Sequence, residues 1–316
     1  MDKLKWGIGV VLMTIAMYLL GYFILCKASY RGLPLVYLFS DYLGPNGGFT
    51  YNKSLEWNAS LHEQKKWDVI VLGASRAERS YNPDFFSKQS IQLFNWGTSA
   101  QSIQNSAILL TSILEQAAPK EVWLDIVPAS FKPEALESTA DLIQNVSENA
   151  LAMQLAQSSG DIRSVNLLAK RFFCSNERWE KKAKSEYQGN GFVSVSDTME
   201  RDVYQSCLNG PFSERAYIEP SEEALTALDD IIALCQSKAV KLRIIVSPTT
   251  PLYNTHDHDW MMQQLMERRK ESAFELYDFS EEEHFKIPNH FYDEKHLNHA
   301  GAWLFDSLFL NTIDFK

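Results

Sequence analysis

Asp68-Val69-Ile70-Val71-Leu72, followed by Gly73-Ala74-Ser75-Arg76, is the stretch from which the rest of the chain can be read. A continuous apolar run leaves no polar face for water, so it reads as a strand buried on both sides that enters a tight loop at its small residues. Two further runs have the same form. Ile91-Gln92-Leu93-Phe94 ends in Asn95-Trp96-Gly97-Thr98-Ser99, and Val122-Trp123-Leu124-Asp125-Ile126-Val127 ends in Pro128. Between them Ile103, Ala107, Leu110, Ile113 and Leu114 recur at helical spacing. Strands alternating with helices predict a parallel sheet with helices on both faces.

Downstream, residues 130–220 break that rhythm. Two helices are expected there, near 133–156 and 162–184, followed by a polar stretch holding Gly189-Asn190-Gly191-Phe192. This segment reads as an insertion covering one side of the sheet. The α/β alternation resumes with a helix over 222–238, a strand at 242–248, a helix over 259–271, a strand at 274–279 and a closing helix over 302–313. Five strands with helical crossovers are therefore expected, in a three-layer α/β sandwich.

Upstream, residues 6–25 (WGIGVVLMTIAMYLLGYFIL) contain no charge. About twenty apolar residues suffice to cross roughly 30 Å of hydrocarbon as a helix. Phe23-Ile24-Leu25-Cys26-Lys27 offers no small-x-small cleavage site, so the segment reads as an uncleaved anchor rather than a signal peptide. Lys3 and Lys5 precede it and Lys27 and Arg31 follow, a near-even balance read here as amino terminus inside and domain extracytoplasmic. The expected organisation is a cytoplasmic tip and anchor over 1–27, a loop-rich juxtamembrane connector over 28–66, and an α/β domain over 67–316 with its helical insertion at about 130–220.

Composition narrows the partners. The 316 residues carry a formal net charge of -10, which argues against nucleic acid, since that would require a basic face. Cys26, Cys174, Cys207 and Cys235 form no C-x-x-C pair, so neither a zinc site nor a redox motif is indicated. Cys174 with Cys207 is one conceivable disulfide, and unpaired buried thiols are the simpler reading. His256-Asp257-His258-Asp259 invites a metal reading, but an acidic cap on the next helix explains it more simply. No metal and no cofactor is expected.

Near the end stands Tyr292-Asp293-Glu294-Lys295-His296-Leu297-Asn298-His299-Ala300-Gly301. Asp293 and His296, three residues apart, can project to one side of a turn, the carboxylate fixing the imidazole tautomer and leaving the other nitrogen free to take a proton. The bland alternative is a capping Asp beside a surface His. Ser75 follows a strand end, where it is either a helix cap or an exposed nucleophile. Asn95 and Gly97 end the neighbouring strand, where an amide side chain and a bare backbone N–H could face an oxyanion. In an open parallel sheet ligands bind beyond the carboxyl ends of the strands, and all of these positions fall there. Arg76, beside Ser75, and Asp125, at the end of the third strand, are candidates for substrate contact. Phe172, Phe173, Trp179, Tyr187 and Phe192 in the insertion could line a glycan or acyl groove, with core packing as the plainer account.

Gly73-x-Ser75 after the first strand, Asn95-x-Gly97 after the second and Asp293-x-x-His296 before the last helix resemble the SGNH (GDSL-type) hydrolase superfamily. The resemblance runs from about Trp67 to the C-terminus, apart from the insertion. It is strongest to membrane-anchored members that acylate cell-surface polysaccharides or D-alanylate teichoic acids. It implies a five-stranded parallel sheet in flavodoxin-like order. It also implies Ser75 as nucleophile, His296 as base and acid, Asp293 as its orienter, and an oxyanion hole of the Ser75 amide with Gly97 and Asn95. Two positions depart from the pattern: Ala74 stands where an Asp usually precedes the serine, and the third-block Gly-x-Asn-Asp is missing around Trp123 to Ser130.

The implied function is a bacterial, single-pass, extracytoplasmic serine acyltransferase acting on a cell-surface glycan or teichoic acid. The implied partner is a polytopic membrane O-acyltransferase supplying the acyl group. A carbohydrate esterase with the same triad, and a non-catalytic glycan-binding partner of such an acyltransferase, are the alternatives.

Overall fold

Val69, Ile70, Val71 and Leu72 are wholly shut off from water, as a strand with neighbours on both edges and helices on both faces must be. The computed structural model describes residues 2–31, 33–38, 48–133, 136–174, 186–208, 219–250 and 256–315. The chain opens with α1 (Asp2–Lys27), a two-strand ladder of β1 (Ser29–Tyr30) and β2 (Leu33–Pro34), and α2 (Phe49–His62). The sheet then starts with β3 (Val69–Gly73), α3 (Ser75–Ser80), α4 (Pro83–Ser87), β4 (Leu93–Asn95), α5 (Ile103–Gln116) and β5 (Glu121–Asp125). The insertion holds α6 (Leu136–Asn145), α7 (Asn149–Ser159), α8 (Ile162–Phe173), a hairpin of β6 (Tyr187–Gly189) and β7 (Phe192–Val193), and α9 (Arg201–Leu208). The chain closes with α10 (Glu222–Ser237), β8 (Lys241–Val246), α11 (His256–Glu271), β9 (Glu275–Asp278) and α12 (His299–Thr312).

The main sheet has five strands in the order β4-β3-β5-β8-β9, every pairing parallel. This is the flavodoxin-like order, with the switch point at β3. Because side chains alternate along a strand, the sheet feeds two cores. Ile70, Leu72, Leu124 and Ile244 join one with α5 and α10, while Val69, Val71, Trp123 and Ile245 join another with Phe305 and Phe309 of α12. Arg243 lies on β8 and is fully buried. Glu121 takes its Nε and Nη2 at 2.6 and 2.9 Å, and Glu275, Tyr277 and the Asp314 carbonyl take the rest. A charge can sit there because every side of its fork is met.

Several expectations change. The connector is not loop throughout: α2 is a helix whose Trp57 stacks on Trp67 at 6.5 Å and meets Phe94 edge-on at 5.2 Å. The helix expected over 133–156 is two, α6 and α7, broken around Val146-Ser147-Glu148. The helix expected over 162–184 stops at Phe173, and its remainder, including Trp179, lies outside the described residues. The insertion also does more than cover one side. α6 and α7 pack outside α5, whereas β6–β7 reaches the β4 edge, where the Asn95 amide donates to the Asn190 carbonyl at 2.9 Å.

One helix among the described residues, α1, is long and apolar enough to cross a membrane. Its last turns are not free. Tyr18 hydrogen-bonds Asn166, Phe23 meets Phe173 edge-on at 6.1 Å, and Cys26 is disulfide-bonded to Cys174. The Cys174–Cys207 pairing is thereby replaced, since packing α8 along α1 brings Cys174 to Cys26 instead. Cys235 is a free, buried thiol, and burial pushes it up to about 12.

Candidate active site

β3 ends at Gly73, whose φ of +144° belongs to the glycine-favouring region. A Cβ there would stand 2.5 Å from the Asp125 carbonyl oxygen and 2.9 Å from the Ala77 Cβ. Only a bare backbone therefore lets the chain turn against β5 and start α3 at once. Ser75 is the first residue of α3, half-buried. Its Oγ lies 2.8 Å from His296 Nε2. On the other side of the imidazole, Nδ1 lies 2.8 Å from Asp293 Oδ2 and 2.9 Å from Oδ1. One tautomer, protonated at Nδ1, satisfies both partners and leaves Nε2 to accept from Ser75.

The loop that carries this pair is tied to itself. Asp293 Oδ1 accepts from the Lys295 and His296 amides at 2.8 and 2.9 Å. Burial works to raise the Asp293 pKa, but hydrogen bonding and charge from His296, with those two amides, outweigh it and hold the carboxyl below its ordinary value. The Tyr292 ring stacks on the imidazole, centroids 5.4 Å apart and planes 11° from parallel. Asn298 caps α12 through the Gly301 amide and donates to the Asn289 carbonyl, both at 2.9 Å. A side chain at 301 would collide with the His290 carbonyl oxygen at 2.1 Å. Thr250 anchors the far side, donating to the Glu294 carbonyl at 2.7 Å.

Asn95 and Gly97 do not serve as expected. The Gly97 amide donates to Asn95 Oδ1 at 2.9 Å, and Asn95 Nδ2 donates to the Ala77 and Tyr81 carbonyls at 2.8 and 3.3 Å. Asn95 is fully buried. It fastens the end of β4 to α3, so neither of these donors is left for an oxyanion. Gly97 has a steric role instead: a Cβ would lie 2.6 Å from the Glu78 nitrogen and 2.9 Å from the Ala77 Cβ.

Arg76 and Asp125 are also corrected. Both are buried. Arg76 Nη2 donates to the Ser247 and Pro248 carbonyls, fixing α3 to the segment after β8. Asp125 accepts from the Tyr81 hydroxyl at 2.8 Å and from Ser247 at 3.2 Å, and burial lifts it to about 6. They brace the start of α3 from behind rather than face a substrate.

Three side chains near the site were not singled out from the sequence. Lys53, on α2, is fully buried, with Nζ 2.8 Å from Glu78 Oε1 and bonded to the Gly97 carbonyl. Tyr292 stacks on His296, and Arg79 packs over Tyr292. Spacing held a signal for two of these, since Arg79 follows Ser75 by one helical turn and Tyr292 adjoins Asp293. Nothing local marks Lys53, whose role depends on how α2 folds back. In the His256–Asp259 segment, His258 Nε2 meets Asp278 Oδ2 at 2.8 Å. That hydrogen bond raises the imidazole pKa against burial. No group of three metal-ligating side chains occurs among the described residues.

No family model matches the chain, and no curated protein does either. Solved structures do. A candidate platelet activating factor from Streptococcus pneumonia is 12% identical, with a TM-score of 0.46 over 82% of this chain and 90% of that one. A candidate acylhydrolase from Bacteroides fragilis is 11% identical, with a TM-score of 0.42 over 81% and 93%. A GDSL-like lipase from Bacteroides thetaiotaomicron is 11% identical, with a TM-score of 0.41 over 83% and 97%. None of these three reaches a TM-score of 0.5, and the functional reading is carried by the geometry around Ser75.

Proposed function

We propose that this chain is a serine-dependent acyl-transfer enzyme of SGNH type, anchored by α1, with a cell-surface polysaccharide or teichoic acid as its acyl acceptor. The observation that carries the reading is the line Ser75 Oγ, His296, Asp293, with both contacts of the imidazole at 2.8 Å. In that line His296 Nε2 takes the Ser75 proton as Oγ attacks an ester carbonyl. The Asp293 carboxylate stabilises the imidazolium that forms, and the same proton then goes to the departing alcohol. The Ser75 amide, at the start of α3, meets the oxyanion. An acyl group left on Ser75 is released to water or passed to a sugar hydroxyl, and transfer prevails where the acceptor is held and water is kept away.

Two features support an anchored enzyme working outside the cytoplasm on a membrane-delivered donor. The helix α1 has the length and composition of a membrane span, and the Cys26–Cys174 disulfide suits an oxidising compartment. A polytopic membrane O-acyltransferase is the proposed source of the acyl group.

The test uses the full chain in detergent with an activated acetyl ester and a surface oligosaccharide, both products being followed by mass spectrometry. Acetylated oligosaccharide that disappears in Ser75→Ala is expected. Acetate alone, formed at saturating acceptor and still dependent on Ser75, makes the protein an esterase. A folded protein that neither turns over ester nor is labelled at Ser75 by a serine-reactive phosphonate is a glycan binder instead. Protease added to spheroplasts should digest the domain, and protection until lysis would reverse the orientation.

A further inference from the structure

Arg79 follows Ser75 by four residues on α3, so both side chains leave one face of the helix, with Cβ atoms about 5–6 Å apart. Its side chain is only 13% exposed. The guanidinium lies 5.0 Å from the centroid of the Tyr292 ring, and that ring stacks on His296. Arg79 thus belongs to the same ladder as the reacting line: Ser75, His296, Tyr292, Arg79.

Its hydrogen bonds are incomplete. Nη2 faces Glu186 Oε2 at 3.9 Å, too far for a hydrogen bond. Nε and Nη1 are closed off from bulk water and donate to no acceptor among the described residues. Buried donors on a charged group are ordinarily all met. Arg243 shows what this fold does with a purely structural guanidinium, surrounding it with Glu121, Glu275, Tyr277 and the Asp314 carbonyl. A rigid fork with donors in hand, one helical turn from a nucleophile, suits bidentate binding of an oxyanion.

We propose that Arg79 is the anion-recognition residue of this site, taking a carboxylate or phosphate carried by the substrate and so setting the position of the ester relative to Ser75. The word substrate rests on the acyl-transfer reading; the anion subsite itself does not. Glu186, about one-third exposed, balances the guanidinium when no anion is bound and competes with one that arrives.

The first measurement is binding of inorganic phosphate and of succinate to the full chain in detergent, by calorimetry at low salt, for the native protein, Arg79→Gln, Arg79→Lys and Glu186→Gln. Affinity should fall at least about tenfold in Arg79→Gln, the worth of one charge-assisted hydrogen bond. It should be partly kept in Arg79→Lys and should rise in Glu186→Gln. The second measurement compares kcat/KM for an anionic ester with that for its neutral counterpart. 4-Nitrophenyl hemisuccinate against 4-nitrophenyl acetate places the charge on the acyl side, and acetylglycerol phosphate against monoacetin places it on the alcohol side. In Arg79→Gln one of these two ratios should drop about tenfold, and the pair that responds says which end of the ester Arg79 holds. Anions that bind Arg79→Gln as well as the native protein, or bind neither, overturn the proposal. So does a variant that melts earlier and loses rate equally on charged and neutral esters, the mark of a merely structural residue. If phosphate binding depends on Arg79 while no ester is turned over, the anion subsite stands and the acyl-transfer reading falls.

Discussion

Lys53 Nζ lies 2.8 Å from Glu78 Oε1, with neither side chain open to solvent beyond a few per cent. The pair joins the segment after α1 to the helix that begins with Ser75. Burial pulls the Lys53 pKa down, and the neighbouring Glu78 opposes it. Lys53→Met leaves the Glu78 carboxylate buried without its partner, and removing one member of a buried pair costs about 3–5 kcal/mol. Denaturant unfolding should show that loss, and Lys53→Met with Glu78→Gln should recover most of it. A single variant as stable as the native protein would contradict the pairing.

Gly97→Ala should destabilise by about 1–3 kcal/mol, the usual range for forcing volume into a packed site. The added Cβ meets the backbone of Glu78 and the Cβ of Ala77, neither of which can rotate aside, so α3 must shift. Turnover is expected to fall with stability because Ser75 rides on that helix. A variant with unchanged melting and unchanged rate would mean that α3 and β4 sit further apart than described.

Ser75→Ala should lower kcat by about a thousandfold to a millionfold, and Asp293→Asn by about ten-thousandfold, without unfolding the protein. Steady-state rates on a chromogenic ester check both. Equal activity of Ser75→Ala and the native protein would place the nucleophile elsewhere.

Stability should fall as pH rises from about 4 to about 6, with a further loss above the ordinary imidazole value. Burial lifts Asp125 and Asp141 to about 6, so between the ordinary carboxyl value and pH 6 the folded state holds protons that the unfolded chain has released. His258 is raised by its hydrogen bond to Asp278, and that contribution is lost as pH climbs through its folded value. All three act in one direction. Asp293 and Asp278 are lowered, so their contributions vanish only in acid, below the ordinary carboxyl range. Asp125→Asn and Asp141→Asn should each flatten a plot of melting temperature against pH, and an unaltered slope in both would refute the assignment.

Non-reducing peptide mapping should recover Cys26 linked to Cys174, with Cys207 outside that link. Cys26→Ser should reduce stability by about 2–4 kcal/mol, the usual worth of a disulfide. Recovery of a Cys174–Cys207 peptide would mean that α8 does not dock on α1.

The sheet was legible because a strand buried on both faces must be a largely apolar run, as Val69 to Leu72 is throughout and Leu242 to Val246 is apart from Arg243, and because each run stops at small or polar residues. Asp293 and His296 were legible because one short loop carries both. The helix α2 was not: its apolar and polar residues follow no clear face, and Lys53 is buried only because Glu78 and the Gly97 carbonyl receive it. The role of Asn95 was misread for a related reason. An amide side chain at a strand end looks the same whether it faces a ligand or the carbonyls of Ala77 and Tyr81, and only the packing of α3 decides. The Cys26 pairing depends on two helices far apart in the chain lying side by side, which no local pattern records.

The clasp between α1 and α8 bears on mechanics. A domain hung on a slack linker swings, and its reacting group sweeps a wide volume. Here Tyr18, Phe23 and Cys26 fasten the apolar helix to Asn166, Phe173 and Cys174, and α2 is fixed to α3 through Lys53. The apolar helix and the domain therefore move as one lever. Whatever holds α1 also sets the height and heading of Ser75.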